Sequence, residues 1–312
     1  MIRLEKLILE NVGKKIKNAY LVRNINLRVE EGEIKIILGA SGSGKTTILN
    51  IISGIIRPDD GRVIIDGEDI TDKKIEERNI GFVFQDLGLF YSMNVAENLA
   101  YGLRIRKMDI SEINVRVRDI AKRLSIEEHL LKFPSQLSGG ERQLVALGRT
   151  LITEPKVILM DEPLSSLDTF LRNSMRWYIK DLRKNFDITI IYVTHDLEDA
   201  EILGDSVAVL EAGNIIQDGR KNDVISFPKC RKVAEILGYN IFEKEGKKMA
   251  IHPSAIKTGG DVDFEIIYEE KGIGYNYLLS TRYGQIYVKS AERIMERDKL
   301  SFNNAVSLGK CE

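Results

Sequence analysis

Residues 39–47, GASGSGKTT, follow a short apolar run and open a stretch of helical period, the setting in which G-x-x-x-x-G-K-[ST] can hold phosphate. Gly39, Ala40, Ser41, Gly42, Ser43 and Gly44 are small enough for consecutive backbone N–H groups to converge on phosphate oxygens. The helix N-terminus that follows adds favourable partial charge. Lys45 would bring a full positive charge to the β and γ phosphates, Thr46 offers a hydroxyl ligand for Mg2+, and Thr47 completes the loop. The plain alternative is a Gly-rich turn. Further on, 156–162 (KVILMDE) is an apolar strand ending in two carboxylates. Asp161 at its tip could hold Mg2+ directly or through water, and Glu162 could polarise an attacking water. Taken alone, two acids after a strand are most often a solvated loop start. A third segment, 137–143 (LSGGERQ), starts a helix after the breaker Pro134. Ser138, Gly139 and Gly140 present a hydroxyl and unencumbered N–H groups there, an anion site that lacks a lysine, or simply an N-cap followed by a flexible Gly pair. One phosphate loop has little need of a second cradle in the same molecule.

The elements needed to position these residues are legible as pattern. Ile- and Val-rich runs at 34–38, 80–84, 157–160, 188–193 and 206–210 read as buried strands. Between them, 46–53, 141–152 and 168–185 repeat at helical period, so an α/β fold with a mostly parallel sheet covered on both faces is expected. RVIIDGEDI at 62–70 places Asp66-Gly67 between two short strands and predicts an antiparallel piece attached to that sheet. Residues 95–132 carry no convincing strand and read as a small helical insertion. After Gly238 the helical pattern stops, and 264–268, 275–280 and 285–289 alternate like strands with Gly272, Gly274 and Gly284 in the turns, which predicts a separate small β domain. The connector 228–237 is expected to contain a helix.

In order along the chain, GASGSGKTT, FQD around Gln85, LSGGERQ, ILMDEP, SSLD and THD together resemble the full motif set of ABC ATPases. The resemblance covers about residues 1–237. It implies a P-loop (RecA-like) core with an antiparallel β subdomain and a helical subdomain at about 87–133, and it names ATP and Mg2+ as cofactors. It further implies a head-to-tail dimer in which ATP lies between the phosphate loop of one copy and Ser138, Gly139 and Gly140 of the other, which would account for two cradles. Gln85 then falls in the loop that senses the γ-phosphate and Mg2+, Asp168 in the loop that crosses the dimer interface, and His195 at the switch histidine beside the catalytic Glu162. The metal set implied is Thr46, Gln85 and Asp161. An aromatic usually offered to adenine is missing, since Ile16 falls at that position and the spacing of nearby Tyr20 suits a strand. His129 and His252 match no motif and read as surface or packing residues.

QDLGLFYSMNVAE at 85–97 resembles the region where membrane subunits dock, and Leu87, Leu89, Phe90, Tyr91 and Met93 form an apolar cluster, open equally to local packing. IHPSAI at 251–256 resembles an element of the regulatory β domain of importer ATPases for sugars, sulfate, molybdate and iron, and the later C-terminal stretch resembles a TOBE-type module of the molybdate and tungstate importer ATPases, which implies a small TOBE-like β domain over 238–312. His252 and Ser254 replace the usual Arg and Glu there, and a dimerisation or stability appendage is the alternative. The resulting expectation is the ATP-hydrolysing subunit of an importer for an oxyanion such as molybdate or tungstate, or for a sugar or other solute. Its partners would be separate membrane permease subunits and, indirectly, an extracytoplasmic solute-binding protein, with the chain peripheral on the cytoplasmic face of the cell membrane.

Composition narrows the rivals. The chain has 312 residues, enough for two or three substructures. Lys plus Arg total 46 against 47 Asp plus Glu, giving a formal charge of -1 and no bulk electrostatic pull toward nucleic acid. A DNA-repair ABC ATPase would carry long coiled-coil insertions, a translation-associated one two cassettes, and a P-loop kinase would need neither LSGGERQ nor the histidine. No run approaches the roughly 20 apolar residues that cross a bilayer, and the N-terminus reads as a strand rather than a signal peptide. Trp177 lies on a helix whose apolar positions Leu171, Met175, Ile179 and Leu182 repeat at helical spacing, and it is expected in the core. Cys230 and Cys311 are far apart in no metal spacing and are expected to be reduced, with no disulfide framework.

Overall fold

The computed structural model describes residues 4–17, 19–272, 274–295 and 298–311. Alternating apolar residues make β1 (Glu5–Ile16) and β2 (Ala19–Glu30) a long antiparallel hairpin, interrupted by bulges that break the alternation in β1. β3 (Ile34–Leu38) follows, buried at every residue, and leads through the phosphate-loop segment into α1 (Lys45–Ser53). β4 (Asp60–Ile65) and β5 (Glu68–Asp69) turn at Asp66-Gly67, whose φ values of 51° and 75° suit the left-handed region that Asp and Gly tolerate. These two strands extend the hairpin into a four-stranded sheet of order β2-β1-β4-β5, as the Asp-Gly signal predicts.

β6 (Ile80–Val83) then enters a second sheet. After it come α2 (Val95–Ile105), α3 (Ile110–Arg123) and α4 (Gly139–Leu151), the helical insertion expected from the charge pattern and the helix expected after Pro134. β7 (Val157–Asp161), α5 (Thr169–Phe186), β8 (Thr189–Thr194), α6 (Leu197–Leu203), β9 (Ser206–Glu211) and β10 (Asn214–Arg220) complete the alternation. The sheet has order β10-β9-β3-β8-β7-β6, and β9, β3, β8, β7 and β6 run parallel. Its strands coincide with the apolar runs to within a residue or so because strands buried on both faces carry continuous apolar sequence. The core joins both sheets to α1, with Leu9, Ile25, Ile37, Ile48, Leu159 and Ile191 all at 1% exposure or less.

Two compact units divide at Ile215 and Ile216. The second begins within β10 and continues through α7 (Lys221–Ser226) and α8 (Arg231–Ile236), the helical connector. It then becomes strand-rich: β11 (Asn240–Lys244), β12 (Lys247–Ile251), β13 (Lys257–Val262), β14 (Phe264–Lys271), β15 (Tyr275–Thr281), β16 (Gly284–Ser290), β17 (Leu300–Ser301) and β18 (Val306–Ser307). β14, β15 and β16 form the antiparallel sheet that the alternation predicts, and Tyr277, Leu279, Ile286 and Val288 turn into a core of their own.

Two expectations are corrected. Cys230 and Cys311 form a disulfide, with Cα atoms 5.2 Å apart across a sequence separation of 81. The chain returns on itself: Gly309 bridges Cys230, its N–H donates to the Lys229 carbonyl at 2.8 Å, and β18 pairs with β12. Trp177 is 61% exposed, because on α5 it lies off the buried stripe of Met175, Ile179 and Leu182 and stacks instead with the Lys180 ammonium 5.1 Å from its ring.

Candidate nucleotide site

The parallel sheet decides where the chemistry collects. Residues following β3, β6, β7 and β8 emerge at the carboxyl ends of neighbouring strands, the edge where open α/β sheets bind ligands. After β3 the loop closes tightly. Gly39 has no room for a side chain, since a Cβ there would lie 2.4 Å from the Leu210 carbonyl and 2.8 Å from Ser43 Oγ. Gly44, the N-cap of α1, takes φ 105° and would drive a Cβ to 2.7 Å from Val22. Ser41 and Gly42 are exposed, and the buried Ser43 hydroxyl has no hydrogen-bond partner, an orphaned donor facing the loop interior. Small side chains, a helix N-terminus and a spare hydroxyl suit a phosphate chain.

Lys45 opens α1 and is 5% exposed. Its Nζ donates to the carbonyls of Gly39 and Ala40 at 3.0 Å each and lies 3.3 Å from Glu162 Oε1. Thr46 Oγ1, one residue on, donates to Asp161 Oδ1 at 3.1 Å. Burial pushes the Asp161 carboxyl above its ordinary range; the Thr46 hydrogen bond offsets part of that and the Glu162 charge adds to it. Glu162 has φ 42°, a left-handed conformation costly for a residue with a Cβ, while its N–H still donates to the Val193 carbonyl at 3.1 Å. Across the strand gap His195 Nδ1 meets Glu162 Oε2 at 2.7 Å. Lys45, Thr46, Asp161, Glu162 and His195 thus form one connected cluster.

Other expected residues stand apart from that cluster. Gln85 follows β6 and is exposed. Ser138 caps α4, its Oγ accepting from Glu141 N–H at 3.3 Å and the Glu141 carboxylate accepting Ser138 N–H at 2.7 Å, a reciprocal capping box. Asp168 caps α5 by accepting Leu171 N–H at 3.0 Å. Leu167 and Leu171 flank Gly139 and Gly140, so the α4 tip and the Asp168 loop form one surface. Ile16 is 55% exposed at the end of β1, and Tyr20 lies in β2, with Lys15 4.6 Å and Arg23 5.4 Å from its ring. Of the apolar cluster, Leu87 and Leu89 are buried, Phe90 packs on Tyr101 at 4.4 Å, and Tyr91 is 62% exposed.

Three residues organise these loops: Arg149 and Asn98, which sequence reasoning passes over, and His129, which it reads only as surface or packing. Arg149 on α4 donates to the Gly88 carbonyl at 2.5 Å and the Leu87 carbonyl at 3.0 Å, tying the loop after Gln85 to the helix begun by Ser138. Asn98, fully buried, donates to the Phe90 and Met93 carbonyls at 3.0 Å each and shapes the segment between. His129 is buried with Nε2 3.0 Å from Glu141 Oε1, so it braces the capping carboxylate. None belongs to a motif: Arg149 reaches carbonyls 61 and 62 residues away, whereas Asn98 gathers loop carbonyls only 8 and 5 residues before it and His129 meets the carboxylate that caps the next helix.

Residues 22–165 match the ABC transporter family. A Fe(3+) ions import ATP-binding protein of Vibrio cholerae is 39% identical over 262 residues, spanning 83% of this chain and 74% of the relative. A molybdate/tungstate import ATP-binding protein of Pyrococcus horikoshii is 44% identical over 235 residues, 75% of this chain and 68% of its own. Among solved structures, cbiO1 from Clostridium perfringens, part of the ABC transporter complex cbiONQ, superposes with a TM-score of 0.66 at 31% identity over 74% of this chain and 93% of that one. A loop of small residues leading into a helix N-terminus, a lysine paired with a carboxylate at the ends of parallel strands, and these likenesses define a nucleoside-triphosphatase of the cassette type. The chain belongs to the ABC transporter ATP-binding family, binds ATP and is an ATPase.

Proposed function

We propose that this chain powers an ABC import system by closing on ATP as a head-to-tail dimer and reopening on hydrolysis. The observation that carries this reading is the Glu162 carboxylate, strained in backbone, held 2.7 Å from His195 and 3.3 Å from Lys45. Glu162 polarises the attacking water, His195 fixes the orientation of its carboxylate, and Lys45 meets the charge on the β and γ phosphates. Thr46 and Asp161, already 3.1 Å apart and both oxygen donors, fit Mg2+, with Gln85 at the edge of the site. When bound, the ion neutralises charge on the phosphate oxygens. The backbone N–H groups of Gly39, Ala40, Ser41, Gly42, Ser43 and Gly44, with Thr47, cradle the same phosphates.

In the closed dimer the α4 tip at Ser138, Gly139 and Gly140 meets the nucleotide of the other copy, with Asp168 across the interface. The continuous surface made by Leu167, Leu171 and that tip supports this. We assign the cassette to residues 1–237, with the helical subdomain at about 87–133, and a TOBE-like regulatory domain to 238–312. Exposed Phe84, Tyr91 and Phe133 suit docking of separate permease subunits. No helix among the described residues is long and apolar enough to cross a membrane, which fits a peripheral subunit on the cytoplasmic face that reaches a solute-binding protein only through the permease. The relatives named for Fe(3+) and for molybdate/tungstate point to an inorganic solute, and we take an oxyanion as its class.

The test is Glu162→Gln in the full chain, followed by light scattering and phosphate release. Expected are retained ATP binding, no turnover and an ATP-dependent dimer; turnover at the parental rate, or no dimer at saturating ATP, refutes the reading.

A further inference from the structure

Arg176 is fully buried in the middle of α5, yet it faces three carboxylates. Its Nη2 donates to Asp196 Oδ2 at 2.6 Å, its Nε to Asp199 Oδ1 at 2.7 Å, and its Nη1 to Glu198 Oε2 at 2.5 Å and Asn173 Oδ1 at 2.7 Å. A buried guanidinium satisfied on every side is rigid, because shifting it would leave charge unpaired in a dry place. Its partners are not scattered. Asp196 immediately follows His195, and Asp199 Oδ2 accepts from Thr194 Oγ1 at 2.7 Å, so the residues on both sides of His195 are fastened to one guanidinium. Tyr192, in the strand below, donates to the same Asp199 oxygen at 3.2 Å, and the Asp196 N–H donates to Thr194 Oγ1 at 2.9 Å. His195 itself is 54% exposed, so this loop framework, rather than packing around the ring, fixes where the imidazole stands.

The helix that carries Arg176 is the one capped by Asp168. We propose that Arg176 is a positioning residue that locks the His195 loop to α5, so that the Asp168 loop and the His195–Glu162 pair move as one body. Arg172, one turn earlier on α5, approaches Asp196 at 3.6 Å and donates to the Leu167 carbonyl at 2.9 Å, extending the same body to the residue before Asp168. Arg176 is fully buried and spends its donors on Asn173, Asp196, Glu198 and Asp199, so it acts entirely through His195, and the proposal rests on the role given to His195 above.

A purely structural arginine would lower activity equally in any background, whereas one that acts through His195 loses its effect once His195 is gone. The experiment measures phosphate release by the full chain with ATP and Mg2+, below the melting point of every variant, for Arg176→Lys, His195→Ala and the double variant. Lysine keeps the charge but reaches fewer carboxylates. Arg176→Lys is expected to lower kcat by about 10-fold to 100-fold with KM for ATP unchanged, the scale of a misplaced catalytic group. In the His195→Ala background the same change should alter kcat by less than about twofold, the additivity error of a cycle. Asp196→Asn, which cuts one limb and leaves Arg176 paired with Asp199 and Glu198, should show the same dependence and guards against misfolding of the lysine variant. Equal losses in both backgrounds overturn the proposal. Full kcat in His195→Ala alone would instead remove the role of His195 and the proposal with it.

Discussion

The Cys230–Cys311 disulfide gives a prediction whose size follows from topology. It joins residues 81 apart, enclosing nearly all of the second compact unit. Cross-linking across that separation removes about 15 cal/mol/K of chain entropy from the unfolded ensemble, or about 4.5 kcal/mol at 25 °C in the loop-closure picture. That is a large share of the roughly 5–15 kcal/mol that holds a domain folded. Without the bond the C-terminal segment is held by little: β18 has two residues, pairing at Met249–Ser307 and Ala250–Val306, and the Leu308 and Gly309 N–H groups donate to Lys248 and Lys229. The assay is amide hydrogen exchange of the full chain, oxidised, reduced and as Cys311→Ser. Leu279, Ile286 and Val288 lie in the core of that unit and exchange only when it opens. Breaking the bridge should speed their exchange by up to about 10³-fold, while Ile37 and Ile191 of the other unit keep their rates. Acceleration below about 10-fold, or two thiols titratable before any reductant is added, would show that the bridge does not carry the unit.

Two further outcomes concern single ionisable groups. Because burial raises the Asp161 carboxyl in the fold, its contribution to stability is complete below the unfolded pKa and lost as pH rises through the folded one; Asp161→Asn should therefore stabilise the nucleotide-free chain by about 1 kcal/mol at neutral pH, with the gain fading in acid, and abolish phosphate release. Tyr178 carries a buried hydroxyl without a hydrogen-bond partner, and burial, reinforced by Asp181, pushes it up to about 12 from 10.0. Its stabilising share should vanish between those values as the pH climbs, so Tyr178→Phe should melt about as high as the parent or higher near neutrality and lose less stability in alkali, read by melting temperature against pH.

Sequence disclosed the parallel sheet because its strands are apolar at every position, and Asp66-Gly67 disclosed the hairpin because few residues accept its backbone. The second unit was only partly legible. β13, KTGGDV, has two glycines and almost no apolar alternation, and it is a strand only because Lys257 and Thr258 pair with Ser301 and Leu300 far along the chain. The disulfide escaped for the same reason, since nothing local reports that Gly309 will lie beside Cys230. Trp177 is misread because its apolar character is weighed above its position: two residues from Met175 and two from Ile179, it lies about 200° round the helix from each, on the face opposite the buried stripe.

At the site, motif spacing announced Lys45, Thr46, Asp161, Glu162 and His195 but not how two consecutive acids can serve one loop. Neighbours in a strand point to opposite faces, so an extended Asp161-Glu162 pair would aim only one carboxylate at α1. In the structure Asp161 meets Thr46 and Glu162 meets Lys45, adjacent residues of the same helix start. The positive φ of Glu162 resolves the conflict, turning the chain just as pairing to Val193 ends and bringing the second carboxylate round beside the first. A left-handed non-glycine residue costs about 1–2 kcal/mol, and a glycine there would remove the cost along with the carboxylate. The strain falls on the residue proposed to polarise the attacking water, and it is visible only in the backbone.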